Sequence, residues 1–367
     1  MKAIAVTPGQ AGTFLVDREE PLLHAPDEIV VKVLDVGICG TDREEAAGGR
    51  SKPPEGSQEL VIGHEMLGIV QEVGKAVTLV KTDDPVVFTV RRGCGHCGAC
   101  TGGRPDMCTS GDYTERGIWG RDGYQAAFVV DREAYCVKVP QELTDIGVLV
   151  EPLSVAEKAI DESVLIQKSR LPYVHDAAGV LADRSILVAG LGPVGLLAAF
   201  ALRLRGARVY GLDVVDEASP RASLLTGIGG TYIDGRKHAV DDITGVYGKM
   251  DMVFEATGVA PLELNLLDVL GTNGLYVLTG IPGGDRTVQV HGAEIVRRLV
   301  LNNQVMVGSV NASRTHYATA VDDLLRARQA YGPAVDRLIT QRLPYKDPKE
   351  AFMRQTAEEI KTVIQWR

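Results

Sequence analysis

At 367 residues the chain exceeds the size at which one hydrophobic core usually stops growing, so two domains are expected. Its apolar fraction of 45% is that of an ordinary globular protein, and no apolar run long enough to span a bilayer occurs, which excludes a membrane protein. The balance of 48 acidic against 39 basic residues gives a net charge of −9, which excludes nucleic acid or anionic lipid as a partner, because the densest basic cluster, Arg91–Arg92, is too small to form a binding face.

The first residues, MKAIAVTPGQ, lack the apolar stretch of a secretion signal, so a cytoplasmic chain with reduced thiols is expected. From residue 1 to about 150, short β-rich segments broken by turns follow one another: MKAIAV, EIVVKVLDV, LGIVQEV, PVVFTV, YQAAFVV and YCVKVP. They predict a barrel-like β body. Within it, Cys39 stands in GICGTD and His64-Glu65 in IGHEMLG, and Glu151 follows in VEPLS. Each is bland alone: a lone Cys is commonly core, a lone His a satisfied polar group, a Glu before Pro a helix start. Together, one thiolate, one imidazole and carboxylates make a metal set with an open position, as a catalytic zinc needs. Thr41 lies where its hydroxyl can reach an oxygen on the metal, and Asp42 where it can accept from the free ring nitrogen of His64.

Cys94, Cys97, Cys100 and Cys108 follow at spacing C-x2-C-x2-C-x7-C in the Gly-rich stretch RRGCGHCGACTGGRPDMC. The glycines permit the sharp turns that bring four thiolates onto one tetrahedral ion, so the stretch reads as a closed structural zinc site. A ferredoxin-type cluster places its fourth cysteine three residues after the third and before proline, whereas seven residues intervene here and Thr109 follows. Disulfides require an oxidising compartment, and a redox C-x-x-C pair leaves Cys100 and Cys108 unexplained. His96 lies inside the lobe, where it can replace a thiolate. Cys136 in YCVKVP reads as core, and His24, His175, His238, His291 and His316 have no partners at metal spacing.

The texture changes near residue 185. SILVAG, PVGLLAAFALRLRG and RVYGLD predict a βαβ unit, and PRASLLTGIG (helix), TYID (strand), MDMVFEAT (strand), APLELNLLDVLGT (helix), LYVLTG (strand) and VMVGSV (strand) continue the alternation into a doubly wound parallel sheet from about 185 to 309. Gly190-x-Gly192-x-x-Gly195 sits between strand and helix, the context in which this pattern marks a dinucleotide-phosphate site, with Pro193 and Val194 opening the helix. Asp213 ends the second strand, where a carboxylate accepts from the adenosine ribose and repels a 2′-phosphate; NAD is favoured and NADP remains open. Leu278, Thr279 and Gly280, then Ser309, Val310 and Asn311, at the ends of later strands, are expected as further cofactor contacts. The remainder, 310–367, reads as mostly helical with a strand at TVIQW, packing back on the first body.

The order of GICGTD, GHEMLGIV, the four-cysteine lobe, GLGPVG and VFEATG resembles the zinc-dependent medium-chain alcohol dehydrogenase superfamily over essentially the whole chain. CGTDRE, YTERGI followed by GY, EPLSVAEKA, TYIDGR and VLNNQVMVGSVN are similar to its microbial glucose dehydrogenase branch. The resemblance implies an α/β chain with a GroES-like catalytic domain (1–180 and 310–367, zinc lobe at 93–109) and a Rossmann dinucleotide-binding domain (181–309). It implies a catalytic zinc on Cys39, His64, Glu65 and Glu151, whose carboxylates exchange with water or substrate, and a structural zinc on the four lobe cysteines. It also implies sugar contacts from Thr41, Glu115, Glu151, Ser154 and Asn311, a dimer or tetramer of identical chains, and a cofactor cleft between the domains. Asp122 stands where several members carry His, Ser154 where some carry an acid, and Asn302 where His is frequent, so the accepted sugar is open. The expected activity is oxidation of an aldose at C1 to the lactone with NAD(P). A polyol or secondary-alcohol dehydrogenase is the alternative within enzymes, and a non-catalytic zinc-stabilised NAD-binding protein the alternative outside them.

Overall fold

The segment EIVVKVLDVG is rich in β-branched residues, whose stiff χ1 favours extended backbone, and in the computed structural model it forms the strand Glu28–Gly37 at the centre of a seven-stranded sheet. The structure describes residues 1–284, 287–353, 356 and 358–367. Strand Glu28–Gly37 pairs antiparallel with Glu65–Val73 along one side; on the other it pairs with Phe128–Arg132 near its start and Lys361–Gln365 near its end. Pro85–Phe88 and Cys136–Lys138 extend the sheet one way and Ile339–Pro344 the other, and a three-stranded sheet joins Phe14–Asp17, Lys2–Val6 and Leu60–Val61. Ile4, Val31, Leu60, Met66, Phe88, Tyr124 and Trp366 belong to one buried core.

This body comprises Met1–Ser154, Asn311–Leu325 and Leu338–Arg367; a second unit comprises Val155–Val310 and Arg326–Arg337. The change of unit falls at Ser154, within the helix Val150–Arg170, earlier than the change of sequence texture near 185, because a helix that runs on past its first turn leaves no loop to mark the crossing. Of YQAAFVV only Phe128 onward is strand; the backbone before it bonds singly to other segments, as in Tyr124 N–H to the Gly63 carbonyl (2.8 Å) and Ala127 N–H to that of Lys2 (3.1 Å). The C-terminal segment contains the strand Ile339–Pro344, parallel to Lys361–Gln365, as well as helices.

The second unit carries a six-stranded parallel sheet in the spatial order Thr231–Asp234, Arg208–Asp213, Ser185–Ala189, Met250–Glu255, Leu270–Leu278, Val305–Gly308. The chain starts this sheet in the middle and builds outward in both directions, so Ser185–Ala189 is the switch point beyond whose carboxyl end ligands bind in such folds. The expected helix over 260–272 is shorter: Ala260–Asn265 is α-helical, Leu266–Val269 forms a 3-10 turn, and Leu270 already begins a strand. The four apolar residues of LLDVL are buried in the unit's core, where periodicity alone does not separate helix from strand.

Candidate active site

Strand register brings the metal-type donors together. Gly37 lies opposite Glu65 on one side and opposite Val363 on the other, so Cys39, His64-Glu65 and Lys361 meet at one end of the central strand. Cys39 caps the helix Gly40–Ala46, and its backbone N–H donates to Asp42 Oδ2 at 2.7 Å. One donor atom each of Cys39, His64 and Glu65 lies within 4.8 Å of the others. Asp42, fully buried, holds its Oδ1 3.5 Å from His64 Nδ1, the expected side for an orienting carboxylate. Burial opposes a charged imidazole, yet the charge of Asp42 and its hydrogen bond outweigh it and hold His64 well above its ordinary value.

Glu151, in the first turn of Val150–Arg170, is not part of that cluster but is buried beside it: burial, against the charge of His64 and reinforced by Glu65, pushes its carboxyl up to about 7. Sequence reasoning missed Lys361. Its Nζ pairs with Glu65 Oε2 and donates to the Ile38 carbonyl at 3.0 Å, with 1% of the side chain exposed. Burial would lower this ammonium, and the charge of Glu65 reverses that. A Cβ on Gly37 would run into both Glu65 Oε2 and Lys361 Cε, which is why glycine stands there. The only signal in the sequence is a lysine at the head of an apolar strand, KTVIQW, which reads equally as an edge residue.

The expected sugar contacts divide. Asn311 Nδ2 donates to Glu115 Oε1 at 2.7 Å, and Asn311 adopts φ +62°, a left-handed conformation that Asn tolerates better than most residues. Arg91, another residue missed, holds the same Glu115 oxygen through Nε (3.1 Å) and Nη2 (3.0 Å). Thr41 is half-buried and its hydroxyl has no hydrogen bond among the described residues. Ser154 is fully buried and its hydroxyl donates a hydrogen bond to the Glu151 carbonyl at 2.6 Å. Asp122 accepts from Val61 N–H at 2.9 Å. Asn302 ends the helix Gly292–Leu301 and bonds back to the Arg298 carbonyl at 3.2 Å.

The four lobe cysteines also converge within 4.8 Å. Cys94 and Cys100 sulfurs are 3.9 Å apart, as are those of Cys97 and Cys108, and a tetrahedral zinc with bonds of about 2.3 Å separates its sulfurs by about 3.8 Å. The donor set therefore fits that ion. A Cβ on Gly93 would strike Cys100 Sγ, and Gly95 takes φ +81°. Backbone donors, Thr109 first, pull the Cys97 thiol down to about 5, whereas burial pushes Cys100 up to about 12. His96 is exposed, with Nδ1 3.0 Å from the Cys94 carbonyl, and is not in the sulfur cluster.

In the second unit Gly192 caps the helix Pro193–Leu204 and faces open space, so a phosphate can approach its backbone. Gly190 takes φ +86°, and a Cβ on Gly195 would enter the Gly190 carbonyl. These features fit a dinucleotide. Asp213 Oδ2 accepts from Leu191 N–H at 2.8 Å, so the carboxylate also holds the glycine loop in place. Arg221 Nη1 lies 3.7 Å from the same oxygen and Arg236 Nη2 3.6 Å from Asp216, placing cations beside these two carboxylates. Thr279 N–H and hydroxyl bond the Glu255 carbonyl at 2.9 and 2.6 Å, and Ser309 N–H bonds that of Leu278 at 2.9 Å. Val194 lies in the first turn of the same helix, and Gly280 packs so close to Gly258 N that a Cβ would collide. Val310 accepts from Lys158 Nζ at 2.9 Å.

Residues 25–141 match the alcohol dehydrogenase GroES-like domain, and residues 144–366 match the glucose dehydrogenase C-terminus family. The chain is 36% identical to glucose 1-dehydrogenase of Methanocella arvoryzae, covering 100% of this chain and 99% of that one. Against glucose 1-dehydrogenase of Thermoproteus tenax the identity is 38%, with the same coverage of 100% and 99%. Among solved structures, glucose dehydrogenase of Haloferax mediterranei in complex with NADP, Zn and gluconolactone superposes with TM-score 0.88 at 33% identity, over 100% of this chain and 99% of that one. With a metal trio at the end of one sheet, a four-thiol lobe and a glycine cradle at the switch point of another, the chain belongs to the zinc-type medium-chain alcohol dehydrogenase superfamily, in its glucose dehydrogenase branch.

Proposed function

We propose that the protein oxidises an aldose, D-glucose or a close relative, at C1 to the lactone, passing hydride to NAD and, less readily, NADP. The observation that carries this reading is the buried convergence of three unlike donors, Cys39, His64 and Glu65, in a chain whose full-length relatives are glucose 1-dehydrogenases. Those three residues, with Glu151 beside them, would hold zinc, and the four lobe cysteines a second, structural zinc. When bound, zinc supplies a Lewis acid that lowers the pKa of the C1 hydroxyl, and nicotinamide supplies the hydride acceptor.

The chain's own residues do the rest. Asp42 orients the His64 ring and anchors the Cys39 backbone; the Thr41 hydroxyl takes the C1 hydroxyl proton and passes it on towards solvent or the cofactor ribose; Glu115 and Asn311 offer an acceptor and an amide to sugar hydroxyls. Ser154 lines the helix turn that carries Glu151. Gly190, Gly192, Pro193, Val194 and Gly195 cradle the pyrophosphate, Asp213 takes the ribose hydroxyls, and the ends of the later strands, 278–280 and 309–311, close the cofactor site. Arg221 beside Asp213 and Arg236 beside Asp216 support tolerance of a 2′-phosphate. Residues 1–180 with 310–367 act as the catalytic part and 181–309 as the cofactor part. No helix among the described residues is long and apolar enough to cross a membrane, and a lobe that binds metal through thiolates suits the reducing cytoplasm.

The test is NADH and NADPH formation over D-glucose, D-galactose, D-xylose, L-arabinose, sorbitol and 2-butanol, beside a Cys39→Ser control and zinc analysis. Turnover of an aldose that the control abolishes, with two zinc per wild-type chain and one in the control, is the expected result. Turnover confined to sorbitol or 2-butanol replaces the aldose reading with a polyol one, and no turnover with zinc bound replaces both with a binding protein.

A further inference from the structure

We infer that Arg91 is a positioning residue for the sugar: it fixes the Glu115 carboxylate so that one oxygen is saturated within the protein and the other is presented to a substrate hydroxyl. This rests on the reading of Glu115 and Asn311 as sugar contacts. Strands Arg91–Arg92 and Thr114–Arg116 pair antiparallel with Arg91 opposite Glu115, so the two side chains are cross-strand neighbours. Arg91 Nε and Nη2 both donate to Glu115 Oε1, at 3.1 and 3.0 Å, and Asn311 Nδ2 donates to the same oxygen at 2.7 Å. Oε2 receives no donor among the described residues. A carboxylate held in this way keeps the lone pairs of its second oxygen for a ligand.

Arg91 is itself immobilised. Its Nη1 donates to the Asp106 carbonyl at 2.8 Å, and its guanidinium lies 4.1 Å from the centre of the Tyr113 ring. Asp106 is buried in the cysteine lobe just before Cys108, its carboxylate held by Arg104 at 2.8 and 3.0 Å. The orientation of Glu115 is thereby set from the lobe through one planar fork, which a lysine on a flexible stem does not reproduce. The neighbouring Arg92 differs, since it is locked onto Asp131 at 2.6 Å.

A site built to bond a hydroxyl rejects the analogue that lacks it, because its own polar group is then left unpaired. Loosening Glu115 should flatten that rejection at one sugar position and leave the dinucleotide unaffected. The experiment uses zinc-loaded wild type, Arg91→Met, Arg91→Lys and Glu115→Gln, with kcat and KM for D-glucose, for glucose analogues lacking one hydroxyl at C2, C3, C4 or C6, and KM for NAD. Glu115→Gln should lose discrimination at one position. Arg91→Met should lose it at the same position, with KM for glucose raised about 10-fold and KM for NAD within about two-fold of wild type. Arg91→Lys, which keeps the charge and loses the fork, should show an intermediate loss. Wild-type discrimination in either Arg91 variant, with Glu115→Gln impaired, overturns the role of Arg91 and leaves the sugar contacts standing. Glu115→Gln unchanged on every sugar overturns the contact itself and the Arg91 role with it.

Discussion

Glu45 sits in the helix that Cys39 caps, with 1% of its surface exposed and neither carboxylate oxygen hydrogen-bonded. Burial first, and then the charge of Asp42, push its carboxyl up to about 9 from an ordinary 4.5. The unfolded chain releases this proton above its ordinary value while the folded chain keeps it, so folding binds a proton throughout the window from 4.5 to about 9. Stability therefore falls as pH rises through that window and levels off above it. Glu45→Gln removes the linkage, and we expect its melting temperature to change less with pH and to exceed wild type at alkaline pH by the equivalent of about 1–3 kcal/mol. Parallel melts at several pH values check this; curves of identical slope would show that Glu45 is not the group responsible. At this scale the metal donors were legible because each lies in a short motif of unusual composition. Lys361 and Arg91 were not, since their partners lie on other strands and a single basic residue in a β segment carries no mark of what it faces.

The segments around Asp131 show how strands are joined by charge. Asp131 on Phe128–Arg132 accepts from Arg92 at 2.6 and 3.2 Å and from Arg116 at 2.8 and 2.9 Å, with 1% of its side chain exposed. Burial would raise its carboxyl, but Arg116 and Arg92 outweigh burial and hold it well below the usual carboxylate range. The contribution is present above the ordinary value of 3.8 and is lost as pH falls below it. Asp131→Asn leaves two buried guanidinium groups without a counter-charge, and urea unfolding should show a loss of about 3–5 kcal/mol; a loss below about 1 kcal/mol would mean that water or a neighbouring group compensates them. The same elements explain the uneven reading of the sequence. Strands of the parallel sheet, buried on both faces, stand out as apolar runs, whereas the helix Val150–Arg170 is marked only at its start, by Glu151 before a proline, because it buries Glu157, Lys158 and Ser163 along with Leu153, Ala156 and Ile160, which erases the polar stripe that marks a surface helix.

At the scale of the molecule, one side of the second unit's sheet has no further strand among the described residues. Val305–Gly308 ends the six-stranded sheet, and the helix Gly292–Leu301 that leads into it exposes Val296, Val300 and Leu301 at 59%, 68% and 72%. An edge strand offers unpaired N–H and C=O groups, and a cluster of exposed branched apolar side chains beside it is the pattern of an association surface. A second copy of the chain, related by a two-fold axis, can cover both at once, because the same patch then meets itself and the assembly closes. We therefore expect wild type to run at a multiple of 39.4 kDa by light scattering. Val300→Asp combined with Leu301→Asp should shift it towards the single-chain mass with secondary structure retained, since the added carboxylates would be desolvated and unpaired in the covered patch. A double variant that keeps the wild-type mass would move the interface to another face, and a wild type that is monomeric at micromolar concentration would remove the assembly altogether.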